Sequence, residues 1–120
     1  MLKEYPIREL GVSVYDPEEI KKLEEFGIKV AIQFPFNVLD RRFENVPMPH
    51  GKRYARSIFL QGLLATPNGL RKGAPRELSV LQKKYYQIIN AQGLDPIALA
   101  ISFVAKSEHT DYFLVGLDSE

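Results

Sequence analysis

Cysteine is missing from all 120 residues, which excludes disulfides, thiolate nucleophiles, zinc–thiolate sites and iron–sulfur clusters together. Nothing therefore calls for an oxidising compartment, and the cytoplasm is the expected location. No long hydrophobic run is present either. The longest apolar stretch, Pro96 to Ala105, is about half of the ~20 residues that span a bilayer. Lys3, Glu4 and Arg8 precede any apolar run, which is unlike a signal peptide. Charge of one sign is nowhere concentrated: 16 Lys and Arg stand against 15 Asp and Glu, a net charge of +1. The basic neighbourhood Gly51-Lys52-Arg53 is short, so neither nucleic acid nor a membrane is expected as a partner. The 2 histidines, His50 and His109, have no Cys, His or paired carboxylate at ligand spacing. No metal site is expected, and both should face solvent.

What is present suffices for one domain over residues 1–120: 45% of residues are hydrophobic and 11% aromatic, enough for a core. Proline and glycine cut the chain into short units. Arg8 to Tyr15 is β-branched and apolar enough for a strand. Asp16-Pro17-Glu18-Glu19 then supplies an N-cap, a first-turn proline and the return partner of a capping box. Ile20, Leu23 and Phe26 recur at helical spacing until Gly27, which offers a left-handed cap. Ile28 to Phe34 reads as a second strand, apolar nearly throughout as in a parallel sheet covered on both faces. Pro47, Pro49 and Gly51 fall within Arg42 to Arg53 and rule out a long helix there, leaving a loop as crossover.

Tyr54 to Leu64 reads as a third strand with its exit, closed by Thr66-Pro67-Asn68-Gly69. Pro75 opens a long helix with Leu78, Leu81, Tyr85, Ile88 and Ile89 on one face, ended by Gly93. Of Tyr85 and Tyr86, one is expected inside and one outside. Asp95-Pro96 starts another helix, apolar all round and so expected to be buried between layers. Asp111 to Leu117 reads as a fourth strand. Alternating strands and helices predict an α/β fold with about four parallel strands and flanking helices. The pattern alone does not distinguish an open sheet from part of a barrel.

Four strings share one register: Gly11-Val12-Ser13-Val14-Tyr15; Gln33-Phe34-Pro35-Phe36-Asn37-Val38-Leu39-Asp40-Arg41-Arg42; Arg56-Ser57-Ile58-Phe59-Leu60-Gln61-Gly62-Leu63-Leu64; and Val115-Gly116-Leu117-Asp118-Ser119. In order and spacing they resemble the ends of strands five to eight of the aldo/keto reductases. The resemblance implies a partial (β/α)8 TIM barrel, the C-terminal half, binding NADPH over the C-terminal strand ends. It implies that Ser13 and Gln33 hold the nicotinamide carboxamide. Ser57, Leu60 and Gly62 would wrap the pyrophosphate, and Gly116 and Ser119 would begin the grip on the adenosine 2'-phosphate. Arg56 stands where many members stack a tyrosine on the nicotinamide; an arginine can cover a ring by its plane but changes the charge.

Departures from the family pattern accompany the match. Val14 replaces a frequent asparagine, and the Pro-rich stretch Val46 to His50 replaces the sixth helix, which would uncover that flank. The basic residue and helix that complete the phosphate grip have no counterpart before Glu120. The family's Asp, Tyr, Lys and His, with Tyr as general acid, come from the first four strands and have none here. The expectation is an aldo/keto reductase-like chain that binds NADP(H) weakly or not at all and is inactive alone. The alternative is a non-catalytic nucleotide-binding or barrel-completing module, acting with a partner chain or as a homo-oligomer. Gln33, an amide within an apolar strand, is either satisfied by neighbouring backbone or poised for a ligand. Asp40-Arg41-Arg42 is expected to form structural ion pairs.

Overall fold

The computed structural model describes residues 6–48 and 50–116. The chain is mixed α/β: β1 (Gly11–Ser13), α1 (Pro17–Glu25), β2 (Ala31–Pro35), β3 (Arg53–Arg56), α2 (Arg76–Gln92), α3 (Pro96–Ala105) and β4 (Tyr112–Phe113). The strands form one sheet in chain order, every pair parallel. Ser13, Gln33, Tyr54 and Tyr112 lie in one row across it.

Local signals at the helix ends act as predicted. Asp16 accepts from the Glu18 amide at 2.9 Å, and Glu19 accepts from the amides of Asp16 and Tyr15. The capping box is complete. Those two backbone amides hold the Glu19 carboxyl below its ordinary range. Asp95 caps α3 by accepting from the Ala98 amide at 2.7 Å. Gly27 and Gly93, just beyond α1 and α2, have φ of 62° and 63°, a region open to glycine at little cost.

All helices contribute to one side of the sheet or to its C-terminal rim. Val14, Ile20, Ile32, Phe34, Phe36, Phe43, Ala55, Ile58 and Val104 form the main core, with α1 supplying Ile20 and α3 supplying Val104. Strand side chains alternate between faces, so Ser13, Gln33, Tyr54, Arg56 and Tyr112 lie on the other face, where no helix packs among the described residues. A second, smaller core joins Leu63 and Leu64 of the loop after β3 to Tyr85, Tyr86 and Ile89 of α2. The radius of gyration is 16.8 Å, above the roughly 14 Å of a compact chain of this length. No single helix among the described residues is long and apolar enough to cross a membrane, and α2 and α3 meet at a bend of 96°.

Several expectations need correction. The strands are shorter than Arg8–Tyr15, Ile28–Phe34, Tyr54–Leu64 and Asp111–Leu117, because ladder pairing covers only the residues that face a neighbour; after Arg56 the chain leaves the sheet in successive turns. Leu117, like Pro49 in the crossover loop, lies outside the described residues. Phe26 is 76% exposed, since α1 ends before its periodic face would turn it inward. The buried face of α2 is Gln82, Tyr85, Tyr86 and Ile89, whereas Leu81 and Ile88 are exposed. The helix packs on the loop after β3, whose carbonyls rotate Gln82 inward to bond Leu63 and Thr66. Both tyrosines of the Tyr85-Tyr86 pair are therefore buried, their rings edge to face at 5.2 Å. Helix α3 buries only Ala100 and Val104, because one layer covers it and its other side, with Ile97, is open.

Candidate functional site

Parallel strands bring their C-terminal ends to one rim, and of the residues singled out in the sequence Ser13, Gln33, Arg56 and Ser57 lie on or near it. Ser13 ends β1, and its hydroxyl donates to Gln33 Oε1 at 3.2 Å. Gln33 is half-buried and thus has a side-chain partner, not a backbone one. Its Nε2 bonds nothing among the described residues. Together with Gly11, Ala31, Tyr54 and Leu114 the two line a groove of about 380 Å³ on the helix-free face. Toward β4, Tyr54 stacks on Tyr112 at 5.0 Å with an interplanar angle of 19°.

Arg56 ends β3 one row beyond this groove. Its guanidinium lies 4.1 Å from the ring centroid of Tyr15. Nη2 donates to the Val14 carbonyl at 3.2 Å and Nη1 to Ser57 Oγ at 3.3 Å. The arginine so bridges β1 and β3 across the end of β2.

Ser57 begins a tightly wound loop. Ser57, Leu60 and Gln61 have φ of 57°, 46° and 54°, an uncommon region for residues with a Cβ. The buried amide of Asn37 holds this geometry: its Nδ2 donates to the Ser57 carbonyl at 3.0 Å, while its Oδ1 accepts from the amides of Leu39 and Asp40 at 2.9 Å. Asn37 thereby ties the loop after β2 to the loop after β3. Leu60 packs on the second core. Gly62 is approached not by open space but by backbone: a Cβ on Gly69 would overlap the Gly62 carbonyl, so both glycines close the neck of the loop. The amides of Leu60 and Gly62 bond the carbonyls of Ser57 and Phe59 within it. A Cβ at Gly116 would meet nothing within 4 Å, so no described contact requires glycine there, and Ser119 lies outside the described residues.

Asp40 and Arg42 pair at 2.8 Å, and Arg41 pairs with Glu44 at 2.7 Å, the structural role expected of that motif. The Arg42 bond holds the Asp40 carboxyl below the ordinary aspartate range. His109 departs from expectation. It is half-buried, its ring edge-on to Phe36 at 6.2 Å, because the turn after α3 folds it against the core. With the exposed His50 it lines a cavity of about 370 Å³ beside Phe43, Met48 and Arg53, on the flank where the Pro-rich stretch runs. No cluster of three potential metal ligands exists among the described residues.

Sequence reasoning missed Asn37, Tyr15 and the Tyr54–Tyr112 stack. Asn37 carried a signal, an amide inside the apolar run Phe34 to Leu39, which burial obliges to find partners. Tyr54 and Tyr112 carried none, since their contact joins strands 58 residues apart. In comparisons with known protein families and with curated proteins, the chain matches none.

Proposed function

We propose that these 120 residues form the cofactor side, strands five to eight, of a (β/α)8 barrel of the aldo/keto reductase type, whose chemistry is NADPH-dependent carbonyl reduction. The observation that carries this reading is the position of Ser13 and Gln33. They sit opposite each other in register on the helix-free face of four parallel strands, Ser13 at the end of β1 and Gln33 two residues before the end of β2, near the rim where sites of that architecture lie. The Ser13 hydroxyl is donated to Gln33 Oε1, which leaves the Gln33 NH2 as donor and the Ser13 oxygen as acceptor. A carboxamide needs one of each. The cofactor, when bound, supplies the hydride; Ser13 and Gln33 hold and orient its ring. The pyrophosphate side fits less well, because the amides of Leu60 and Gly62 are spent inside their own loop, leaving the Ser57 hydroxyl as the main donor.

A polypeptide of these residues alone is expected to bind NADPH weakly, since the ordering cost of the ligand remains while part of the contact set is lost. It is expected to reduce no aldehyde. Without a positioned acid the chemistry forgoes roughly 10²- to 10⁴-fold. A titration with NADPH followed by amide NMR tests the reading: shifts should centre on Ser13, Gln33 and Ser57, with a dissociation constant nearer millimolar than micromolar, weakened by Gln33→Ala. Tight binding that Gln33→Ala and Ser57→Ala leave unchanged would defeat it.

A second reading is a barrel-completing module that acts with a partner chain or a second copy. The face and the outer edges of β1 and β4 that the described residues leave uncovered favour it, since both attract other chains. Light scattering at micromolar concentration should then show a species larger than a monomer, whereas a monomer with a cooperative thermal transition would oppose it.

A further inference from the structure

Arg56 forms no ion pair among the described residues, and the carboxylate that its charge reaches, Asp40, is already paired with Arg42. Lys21, Arg41, Arg42, Lys52 and Arg53 each pair with a carboxylate, and Arg56 pairs with none. Its two hydrogen bonds, at 3.2 and 3.3 Å, go to neutral oxygens of Val14 and Ser57 and are long for N–H···O. Its Nε is buried and has no acceptor among the described residues. A guanidinium offers five donors in a planar fork suited to a carboxylate, and a buried donor without a partner is unfavourable. Over the fork lies the ring of Tyr15, 4.1 Å away and itself 67% exposed. That ring covers a face of the cation but offers no acceptor in the plane of the fork. Such a stack is weak when solvent reaches it.

We propose that Arg56 and Tyr15 form a binding site for a planar carboxylate, aromatic or conjugated, with Tyr15 as a cover that the ligand displaces. Once Tyr15 leaves its face, the guanidinium, held only by its two long bonds to Val14 and Ser57, turns its fork outward and the carboxylate takes it. The ring lies toward the groove of about 380 Å³ that begins at Tyr54 and Ser13, two residues away on the same face and wide enough for a ring that fits a cavity of about 150 Å³. The inference goes beyond the cofactor reading and needs no nucleotide.

Benzoate and benzamide, equal in shape and different in charge, are the probes. In NMR titrations of the whole chain, benzoate should shift the Arg56 Nε–H resonance and bind roughly tenfold or more tighter than benzamide. Arg56→Gln should weaken benzoate by a similar factor. Arg56→Lys, which keeps charge without the planar fork, should recover only part and serves if the glutamine variant disturbs the fold. Tyr15→Ala should tighten benzoate binding severalfold. Equal affinity for benzamide, benzoate binding undiminished in both Arg56 variants, an unmoved Nε–H at saturation, or weaker binding in Tyr15→Ala would each overturn the proposal. Benzoate binding that persists where NADPH binding fails counts against the cofactor reading alone, and the converse against this one.

Discussion

The two faces of the sheet place opposite demands on one short strand. In β2, Ile32 and Phe34 point into the core and are at most 1% exposed, whereas Gln33 between them faces the groove and bonds Ser13. The core face is specified by bulk and hydropathy, and many sequences of similar volume would fill it. The groove face is specified by particular atoms: an amide, a hydroxyl, a guanidinium and two stacked rings. Stability should therefore reside on one face and recognition on the other.

The largest expected effect tests the first half of that contrast. Phe34 is fully buried, its ring 5.1 Å from Phe43 and 6.2 Å from Phe36, so Phe34→Ala should cost about 3–5 kcal/mol in urea unfolding, a large part of a domain's total. Asn37→Ala comes next. It strands the amides of Leu39 and Asp40 and leaves the Ser57 carbonyl with the Leu60 amide alone, at about 2 kcal/mol or more. Because it acts at the rim, amide shifts of the 57–62 loop should accompany the loss; unchanged shifts there would separate Asn37 from the site.

A smaller effect belongs to the second core and appears only in alkali. Burial, with the neighbouring charges of Tyr86 and Asp95, pushes the Tyr85 hydroxyl up from 10.0 to about 12. A group whose folded value is raised contributes its stability below its unfolded value and loses it as pH rises through the folded one. The contribution of Tyr85 should thus be whole below pH 10 and vanish between 10 and 12. Urea midpoints against pH should fall across that window less steeply in Tyr85→Phe. Smallest is Tyr54→Ala on the groove face, which removes a half-exposed stack worth about 0.5–1.5 kcal/mol and leaves the core intact. If it proved as costly as Phe34→Ala, the division between the faces would fail.

The same contrast explains what could be read from sequence. The capping box at Asp16 and Glu19, the Asp95 cap and the stop at Gly93 depend on residues within a few positions of each other, and all were legible. The interior of β2 was legible because burial leaves a run of apolar letters. The inward face of α2 was not: Leu81 and Ile88 fit a helical stripe, and only the carbonyls of Leu63 and Thr66 decide that Gln82 turns inward instead. Arg56 could be placed on the rim by its string. Its stack on Tyr15 could not, because that contact crosses from β3 to β1 over an intervening strand.

Strand order also carries an expectation for folding. Each strand pairs with the one made before it, so every new edge docks on a template already present. The separations are unequal: paired residues such as Ser13 and Gln33 or Gln33 and Tyr54 lie about 20 apart, but Tyr54 and Tyr112 lie 58 apart. Closing the longer excursion costs about 1 kcal/mol more in chain entropy, for a strand of only two residues. The first three strands can assemble while α2 and α3 are still finding their places, and β4 is expected to join last and leave first. Hydrogen exchange should then release the Leu114 amide, bonded to Ala55, before the Val14 amide, bonded to Gln33.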